Sequence, residues 1–201
     1  KGLDWFSTPS HESDVDFLEE CGVGAHKIGS DDAVNVPFLR YVARTGKPII
    51  LSTGMCTMNE VHRSVGAILG EGNDRLILLH AITSYPTHPE DVNLSAMHSM
   101  MREFPGLTIG YSDHTLDPVA CLCAAAMGAR VLERHFTYDK KAEGPDHVLS
   151  ADPDEMKWLV DSVRKFERMR GSGIKRPANA ERKTRLNNRK SVVLARSVNA
   201  G

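Results

Sequence analysis

Two histidines, His114 and His135, follow two consecutive apolar runs, and each has a carboxylate close by in the chain, at Asp113 and Glu133. A helix capped by Asp117 is predicted between the runs. A strand, a helix and a strand of this length form a βαβ unit, whose parallel strands end about 4.8 Å apart when they are neighbours. Two imidazoles at that spacing suit one divalent metal ion with open coordination positions. Hydrogen-bonded structural histidines are the alternative, and the pattern does not select the metal.

A lysine and three serines stand at the ends of other predicted strands. Lys27 lies in a short apolar run, where an unpaired ammonium is costly, so it either extends to solvent or faces an anion. Ser30, Ser52 and Ser112 can donate their hydroxyl hydrogens to the same anion. Together these four side chains predict a binding site for a phosphate or a carboxylate.

Two loops bring further polar side chains to the same end of the predicted sheet. Tyr85-Pro86 begins a rigid loop that can form a pocket wall, and Asp146, in the polar loop 140–147, can accept hydrogen bonds from sugar hydroxyls. An exposed connection explains the second loop equally well. The chain has neither a Gly-x-Ser-x-Gly motif nor a cysteine with an obvious histidine partner, so covalent hydrolysis is not indicated.

The elements that must position these residues alternate regularly along the chain. Strand-like runs begin about 22 to 31 residues apart, the length of a strand, a helix and two short loops. Strict alternation of this kind predicts a parallel α/β sheet. The six runs are Leu3–Ser7, Ala25–Ile28, Ile49–Ser52, Leu76–Ala81, Leu107–Ser112 and Val131–Phe136. The other predicted helices are Asp14–Cys21, Pro37–Thr45, Met58–Leu69 (with a capping box of Thr57 and Glu60), Leu94–Phe104 and Pro153–Met169.

The ends of the predicted strands favour a barrel over an open sheet. An open doubly wound sheet usually has a glycine-rich phosphate turn after an early strand, and none is present. In a barrel, polar residues gather at the carboxyl ends of many strands, and here nearly every predicted strand ends in polar residues. We therefore predict an α/β fold of the (β/α)8 TIM-barrel type. Because six βα units cannot close the usual eight, we expect two units before Lys1.

Composition and charge limit the classes of partner. The 201 residues carry 25 basic and 26 acidic side chains, so neither nucleic acid nor a membrane surface is indicated. The four cysteines lack zinc-site spacing and are interpreted as reduced thiols of a cytoplasmic protein. We predict a barrel domain over residues 1–170, a basic, solvated linker over 171–190, and the first part of another domain over 191–201, where Ser191–Val198 is predicted to be a strand.

Several motifs occur in an order that closely resembles the sialic acid synthase family, which comprises N-acetylneuraminate, legionaminate and pseudaminate synthases and their spore-coat relatives. The resemblance covers nearly the whole chain. The motifs are Phe6-Ser7-Thr8-Pro9, His26-Lys27-Ile28-Gly29-Ser30, the run from Gly46 to Met55, Ser84-Tyr85-Pro86, the run from Gly110 to Thr115, the run from Glu133 to Thr137, and Gly144-Pro145-Asp146-His147.

The resemblance implies a TIM barrel, a linker and a small antifreeze-like (SAF) domain, in a domain-swapped homodimer. It implies a transferase that condenses phosphoenolpyruvate with an N-acetylated hexosamine, either N-acetylmannosamine or a bacillosamine-derived analogue, and releases phosphate. It also implies a divalent metal that polarises the sugar aldehyde, Mn²⁺ first, with Mg²⁺ or Co²⁺ as alternatives. In this family's pattern the metal ligands are His114 and His135, the phosphoenolpyruvate-binding residues are Lys27, Ser30, Ser52, Thr83 and Ser112, the sugar contacts are Asp32, Tyr85 and Asp146, and the catalytic residues are Lys27, Asp32, Tyr85 and Asp146.

Two positions depart from the family pattern. Asp32 stands where glutamate is usual, and Thr83 stands where asparagine or serine is common. The first two strands and most of the capping domain of the family are absent, so we expect this chain alone to be inactive. Two alternatives remain open at this point: a metal-dependent pyruvate aldolase, and a non-catalytic barrel scaffold.

Overall fold

The structure, a computed structural model, describes residues 2–197 and 199; Lys1, Val198, Ala200 and Gly201 lie outside the described residues. The chain divides into two compact units, and the boundary falls between Phe166 and Glu167. The elements are α1 (Glu12–Glu20), β1 (His26–Ile28), α2 (Val36–Arg44), β2 (Ile49–Ser52), α3 (Met58–Leu69), β3 (Leu76–Ala81), a 3-10 turn (Pro89–Asp91), α4 (Ser95–Glu103), β4 (Thr108–Asp113), α5 (Val119–Ala126), β5 (Leu132–Arg134), α6 (Pro153–Arg170), a second 3-10 turn (Asn179–Glu181) and α7 (Arg182–Asn188).

The five strands form one parallel sheet in the order β1-β2-β3-β4-β5. Each strand therefore pairs with the strand that follows it in the chain, and the order never reverses. A doubly wound sheet has a reversal point in its strand order, whereas the wall of a barrel does not. The predicted parallel α/β architecture is confirmed, and the described sheet is a half-barrel.

The outer face of the sheet forms the core against the helices. Ile28 pairs with Leu51, Leu51 with Leu78, and Leu78 with Ile109, so these side chains form a row across four strands. All four are buried, packed in one cluster with apolar residues of the helices. Burying an aliphatic side chain of this size contributes about 1.5–3 kcal/mol, so this row anchors the strands to the helical layer. The inner face of the sheet is left to the polar residues described below.

Local sequence signals fix several helix ends as predicted. In α3 the Thr57 amide donates to Glu60 Oε2 (2.7 Å) and the Glu60 amide donates to Thr57 Oγ1 (3.4 Å), which is the predicted capping box. Asp152 Oδ1 accepts from the Glu155 amide (2.8 Å) at the start of α6. The other helix ends differ from prediction by one or two residues, the usual uncertainty of helix boundaries.

The predicted first strand, Leu3–Ser7, is wrong. A single backbone hydrogen bond joins it to β1, from the Lys27 amide to the Ser7 carbonyl oxygen (3.3 Å), and Leu3, Trp5 and Phe6 are exposed. An apolar run becomes a strand only where a ladder of hydrogen bonds supports it. The last predicted strand, Val131–Phe136, is shorter than expected because β5 ends at Arg134 and Phe136 forms only an isolated bridge with Ala151.

The second unit also differs from the prediction in part. Residues 191–197 form no strand, because no neighbouring strand pairs with them in the described part of the chain; Val198, also in the predicted strand, lies outside it. The predicted linker 171–190 contains α7, with every described side chain there exposed. The antifreeze-like domain stays a prediction. Within residues 2–197 and 199, no helix has the length and apolar character needed to cross a membrane.

Close packing of β4 against β3 and β5 makes Gly110 intolerant of a side chain. A Cβ at this position would lie 2.5 Å from the Val131 carbonyl oxygen and 2.6 Å from Leu79 Cδ2. We expect Gly110→Ala to reduce the free energy of unfolding by about 1–3 kcal/mol, measured by urea denaturation. Gly66→Ala in α3 is the control: its Cβ meets nothing within 4 Å, so it should be neutral or stabilising by about 0.5–1 kcal/mol. Equal midpoints for the two variants would contradict this packing argument.

Candidate active site

The strand register places the polar residues of four strand ends on one face. Side chains of a strand alternate between the two faces of its sheet. Ser112 pairs directly with Glu133 across β4 and β5, so both side chains point to the same face. Lys27 pairs with Ile50, and Ser52 lies two residues after Ile50 on the same strand, so the side chains of Lys27 and Ser52 share a face as well. Because the alternate positions pack against the helices, this shared face is the inner face of the half-barrel.

Lys27 contacts polar inner-face residues of two other strands. Its Nζ donates to Ser52 Oγ (2.9 Å) and to the Ile28 carbonyl oxygen (3.1 Å), and it lies 3.6 Å from Glu133 Oε2. Ser112 Oγ donates to the other Glu133 oxygen (2.7 Å). Burial lowers the pKa of Lys27, and the Glu133 carboxylate opposes that shift. The result is a buried, poorly neutralised ammonium surrounded by hydroxyls, an arrangement that suits an anionic ligand.

Two more of the predicted residues flank Gly54, after β2. The Gly54 amide donates to Ser30 Oγ (2.9 Å). A Cβ on Gly54 would lie 2.2 Å from Thr83 Oγ1 and 2.7 Å from Ser30 Oγ, so the absence of a side chain lets both hydroxyls approach the same point. The structure thus brings Ser30 and Thr83 together across three strand ends. Their assignment to a common ligand, which the family resemblance implied, stays a prediction.

The two histidines lie side by side at the ends of β4 and β5. Their ring centroids are 5.4 Å apart, with the ring planes nearly perpendicular. The Tyr85 ring packs against both, 4.2 Å from the His114 ring and 5.8 Å from the His135 ring. His114 Nδ1 lies 2.7 Å from the Ile82 carbonyl oxygen, which can only accept, so Nδ1 carries the proton and Nε2 has a free lone pair.

This donor set fits a divalent metal held by two imidazoles. Burial lowers the pKa of His114, which favours the neutral ring that a metal requires. His135 Nδ1 lies 3.6 Å from Asp146 Oδ2, and a carboxylate beside one ring nitrogen is a common support for a metal ligand. In the described ranges, 2–197 and 199, no group of three or more His, Cys, Asp or Glu side chains is arranged to hold a metal. The fit therefore rests on the two histidines, which would leave open positions.

A carboxylate that the sequence analysis passed over acts on the site. Burial lowers the pKa of Lys27 and raises that of Tyr85; the charge of Asp31 opposes the first of these shifts and adds to the second. The predicted neighbour, Asp32, instead accepts a hydrogen bond from Asn35 Nδ2 (3.1 Å), in the turn before α2. Burial and three carboxylates keep the pKa of Tyr85 above its usual value, so its hydroxyl retains its proton. Asp31 and Asp32 are adjacent in one loop, and nothing in the sequence indicates which of the two carboxylates acts on the site.

Glu133 is a site residue whose role the sequence predicted only in part. Its place beside His135 was evident, but its contacts with Lys27 and Ser112 were not. The signal was available in its spacing, since residues two apart on a strand share a face and Glu133 precedes His135 by two. To predict the contact of Glu133 with Ser112 from this spacing, one has to know which strand pairs with β5 and in which register.

Residues 1–175 match the NeuB family, so the chain belongs to this family and the resemblance stated above is confirmed. It is 44% identical over 204 residues to the N,N'-diacetyllegionaminic acid synthase of Legionella pneumophila, covering 100% of this chain and 57% of that protein. It resembles the crystal structure of the N-acetylneuraminic acid synthetase of Leptospira borgpetersenii, in complex with citrate, with a TM-score of 0.84 and 32% identity, covering 94% of this chain and 67% of that one.

A more distant structure shows the same fold. A truncated 3-deoxy-D-arabino-heptulosonate 7-phosphate synthase of Thermotoga maritima aligns with a TM-score of 0.74 at 22% identity, covering 87% of this chain and 69% of that one. At this identity the likeness concerns the fold alone. The chain spans 57% of the length of the legionaminic acid synthase.

The charge of Lys27 gives a testable pH dependence. Inorganic phosphate binding, followed by calorimetry in the presence of a chelator, should weaken as the pH rises through the pKa of Lys27, which burial places below 10.5. Glu133→Gln removes the carboxylate that opposes the lowering of the Lys27 pKa. Phosphate binding should therefore be lost at a lower pH in this variant than in the wild-type protein. Above pH about 8 inorganic phosphate stays a dianion, so a change in its binding reports a change in the charge of the protein.

Lys27→Arg is the matched control, because a guanidinium stays protonated throughout this range. Its phosphate affinity should be independent of pH where that of the wild-type protein declines. An unchanged midpoint in Glu133→Gln would show that Glu133 does not control the charge of Lys27.

Proposed function

We propose that this chain forms much of the active site of a sialic-acid-type synthase, a transferase that joins phosphoenolpyruvate to an N-acetylated hexosamine. The sugar is N-acetylmannosamine or a bacillosamine-derived analogue, and the products are a nine-carbon keto acid and phosphate. One observation carries the proposal: the buried ammonium of Lys27 lies 3.6 Å from Glu133, two residues before His135, and the His135 ring is paired with that of His114. Such an arrangement suits a ligand that is anionic at one end beside a carbonyl held by a metal.

In this proposal the phosphoenolpyruvate anion binds around Lys27. Its phosphate and carboxylate groups accept hydrogen bonds from the ammonium and from hydroxyls held at fixed positions by the strand ends. These donors do not reorganise as charge develops on the departing phosphate, which is how preorganised groups lower a barrier. The residues assigned to this role are Lys27, Ser30, Ser52 and Thr83. Ser112 keeps its assignment to the phosphoenolpyruvate site, but its hydroxyl donates to Glu133 and therefore serves there as an acceptor, for a water or another group that carries a hydrogen.

His114 and His135 would hold the divalent ion, for which Mn²⁺ is our first choice and Mg²⁺ or Co²⁺ the alternatives. When bound, such an ion supplies Lewis-acid polarisation of the sugar aldehyde. The Ile82 carbonyl orients the His114 ring, and the protonated Tyr85 hydroxyl is available to donate to the sugar. Asp146 accepts hydrogen bonds from sugar hydroxyls. Asp32 keeps its family-derived assignment as a sugar contact and catalytic residue.

The proposed reaction forms one carbon–carbon bond and one carbon–oxygen bond and breaks one carbon–oxygen bond; of the two protons of the water consumed, one ends on the new hydroxyl group and the other on the phosphate. Carbon 3 of phosphoenolpyruvate bonds to the aldehyde carbon, and a water molecule supplies the new oxygen at carbon 2. The bond from carbon 2 to the bridging oxygen then breaks, and that oxygen leaves with the phosphate. Lys27 neutralises part of the charge that accumulates there. A pyruvate aldolase would have no use for this phosphate-binding arrangement, and a scaffold would have no use for the paired imidazoles.

The remaining family properties are proposed for the full-length protein. We propose a cytoplasmic, domain-swapped homodimer in which the antifreeze-like domain of one subunit covers the barrel mouth of its partner. The closed eight-unit barrel and the activity would require the parts of the relatives that this chain does not span. For this reason the activity test uses the full-length protein.

The expected activity is phosphate release that depends on both a sugar and a metal. The full-length protein is given phosphoenolpyruvate with N-acetylmannosamine or with the diacetylated bacillosamine-derived sugar, with Mn²⁺ and after chelation. His114→Ala and His135→Ala should each reduce the rate by at least about 100-fold, because metal-site and transition-state contacts are worth several kcal/mol. Phosphoenolpyruvate labelled with ¹⁸O at the bridging position should yield labelled phosphate.

His98→Ala is the matched control, since His98 is an exposed histidine whose Nε2 contacts the Met127 carbonyl in the helical layer; it should retain the wild-type rate. No phosphate release with either sugar, from a folded dimer that binds Mn²⁺, would refute the synthase proposal. Unlabelled phosphate would refute carbon–oxygen cleavage while leaving the reaction class intact.

A further inference from the structure

Behind the two histidines, on the outer face of the sheet, lies a buried ion pair that the proposed chemistry does not use. Asp113 and Arg134 are register partners on β4 and β5, each one residue before a histidine. Their side chains are 0% and 1% exposed, and Arg134 Nη1 donates to Asp113 Oδ2. Because neighbouring residues on a strand face opposite ways, this pair lies outside the sheet while Ser112 and Glu133 lie inside it.

Asp113 is held by four donors. Besides Arg134, its carboxylate accepts from the Tyr111 hydroxyl (3.1 Å), the Cys121 thiol (3.3 Å) and the Thr115 amide (3.0 Å). Burial raises the pKa of both Tyr111 and Cys121, so both keep the proton that they donate. The carboxylate therefore has one fixed orientation.

Arg134 extends the contacts to a third segment. Its Nη2 donates to the Thr115 carbonyl oxygen (3.1 Å) and to the Leu149 carbonyl oxygen (3.1 Å). Two residues beyond Leu149, the Ala151 amide donates to the His135 carbonyl oxygen (2.8 Å). The guanidinium thus joins the segment after His114 to the segment that is bonded to the backbone of His135.

The two side chains together restrain both histidines from behind. His114 lies between Asp113 and Thr115, and Thr115 is bound through its amide by Asp113 and through its carbonyl by Arg134. His135 follows Arg134 directly and is bonded to the segment that Arg134 holds. We call Asp113 and Arg134 the Asp113–Arg134 clamp.

We propose that the Asp113–Arg134 clamp is a positioning device that sets the separation and orientation of the His114 and His135 rings for one divalent ion. This inference rests on the proposed metal role of the two histidines. Stability alone is a weak explanation of the pair, since buried ion pairs can often be replaced by apolar side chains without loss. Arg134 Nε, moreover, has no hydrogen-bond partner among the described residues, so the guanidinium is not fully compensated for its burial.

The test uses Co²⁺ as the probe, because its visible absorption spectrum depends on ligand geometry, with full-length protein and calorimetry for the affinity. The double variant D113N/R134M removes both charges, so it leaves no unpaired buried ion to unfold the protein. We expect about 10- to 100-fold weaker Co²⁺ binding and an altered spectrum, the usual effect of losing the groups that orient metal ligands. The single variant R134K keeps the positive charge but loses the planar fork, and should retain part of the affinity that the double variant loses.

Asn73→Ala is the matched control. Asn73 is also buried, and its Nδ2 also donates to two backbone carbonyls, of Ala43 (3.2 Å) and Lys47 (2.9 Å), but at the opposite, amino end of β3. It should lower the unfolding midpoint and leave the Co²⁺ affinity and spectrum unchanged.

Each outcome is decisive. A folded D113N/R134M protein with the affinity and spectrum of the wild type would overturn the clamp and leave the metal site standing. Equal effects of Asn73→Ala and the double variant on the Co²⁺ spectrum would also overturn it, because the effect would then be general destabilisation. A wild-type protein that takes up no Co²⁺ would overturn the metal site and the clamp with it.

Discussion

The pairing register of β4 with β5 is the constraint on which the site depends. It sets Ser112 opposite Glu133 and Asp113 opposite Arg134, so one pair of strands carries a polar cluster on its inner face and a buried ion pair on its outer face. A slip of one residue would exchange the two faces, placing the ion pair inside and removing Glu133 from Lys27. Gly110, which allows the close approach of β4 and β5, belongs to the same constraint.

Burial of charge is the second theme of the structure, and each buried charge has its own form of compensation. Lys27 is only partly compensated by Glu133, at 3.6 Å, which leaves its ammonium available to a ligand. Asp113 is compensated fully, by four donors. The first arrangement is typical of a binding site and the second of a rigid support, and the molecule places them on opposite faces of one sheet.

The sequence predicted what local interactions determine and missed what distant ones determine. The capping box of Thr57 and Glu60 was predictable because its two residues lie three apart in one helix. The adjacency of His114 and His135 was predictable because a short βαβ unit has few alternatives. Leu3–Ser7 was predicted wrongly because strand formation depends on a partner that its own residues do not specify. The contacts of Glu133 and Asp31 with Lys27 were missed for the same reason. Glu133 lies on a strand several elements further along the chain, and Asp31 lies in the turn that follows β1.

The directions of the hydrogen bonds around Lys27 make the inner-face cluster asymmetric. Ser52 Oγ accepts from Lys27 and Ser30 Oγ accepts from the Gly54 amide, so both hydroxyl hydrogens are free for a ligand. Ser112 differs, because its hydrogen is already given to the Glu133 carboxylate. One side of the cluster therefore offers hydrogens, whereas the other offers lone pairs. A bound molecule is oriented accordingly, with its bare oxygens toward Ser52 and Ser30 and a group that carries its own hydrogen, such as a hydroxyl or a water, toward Ser112.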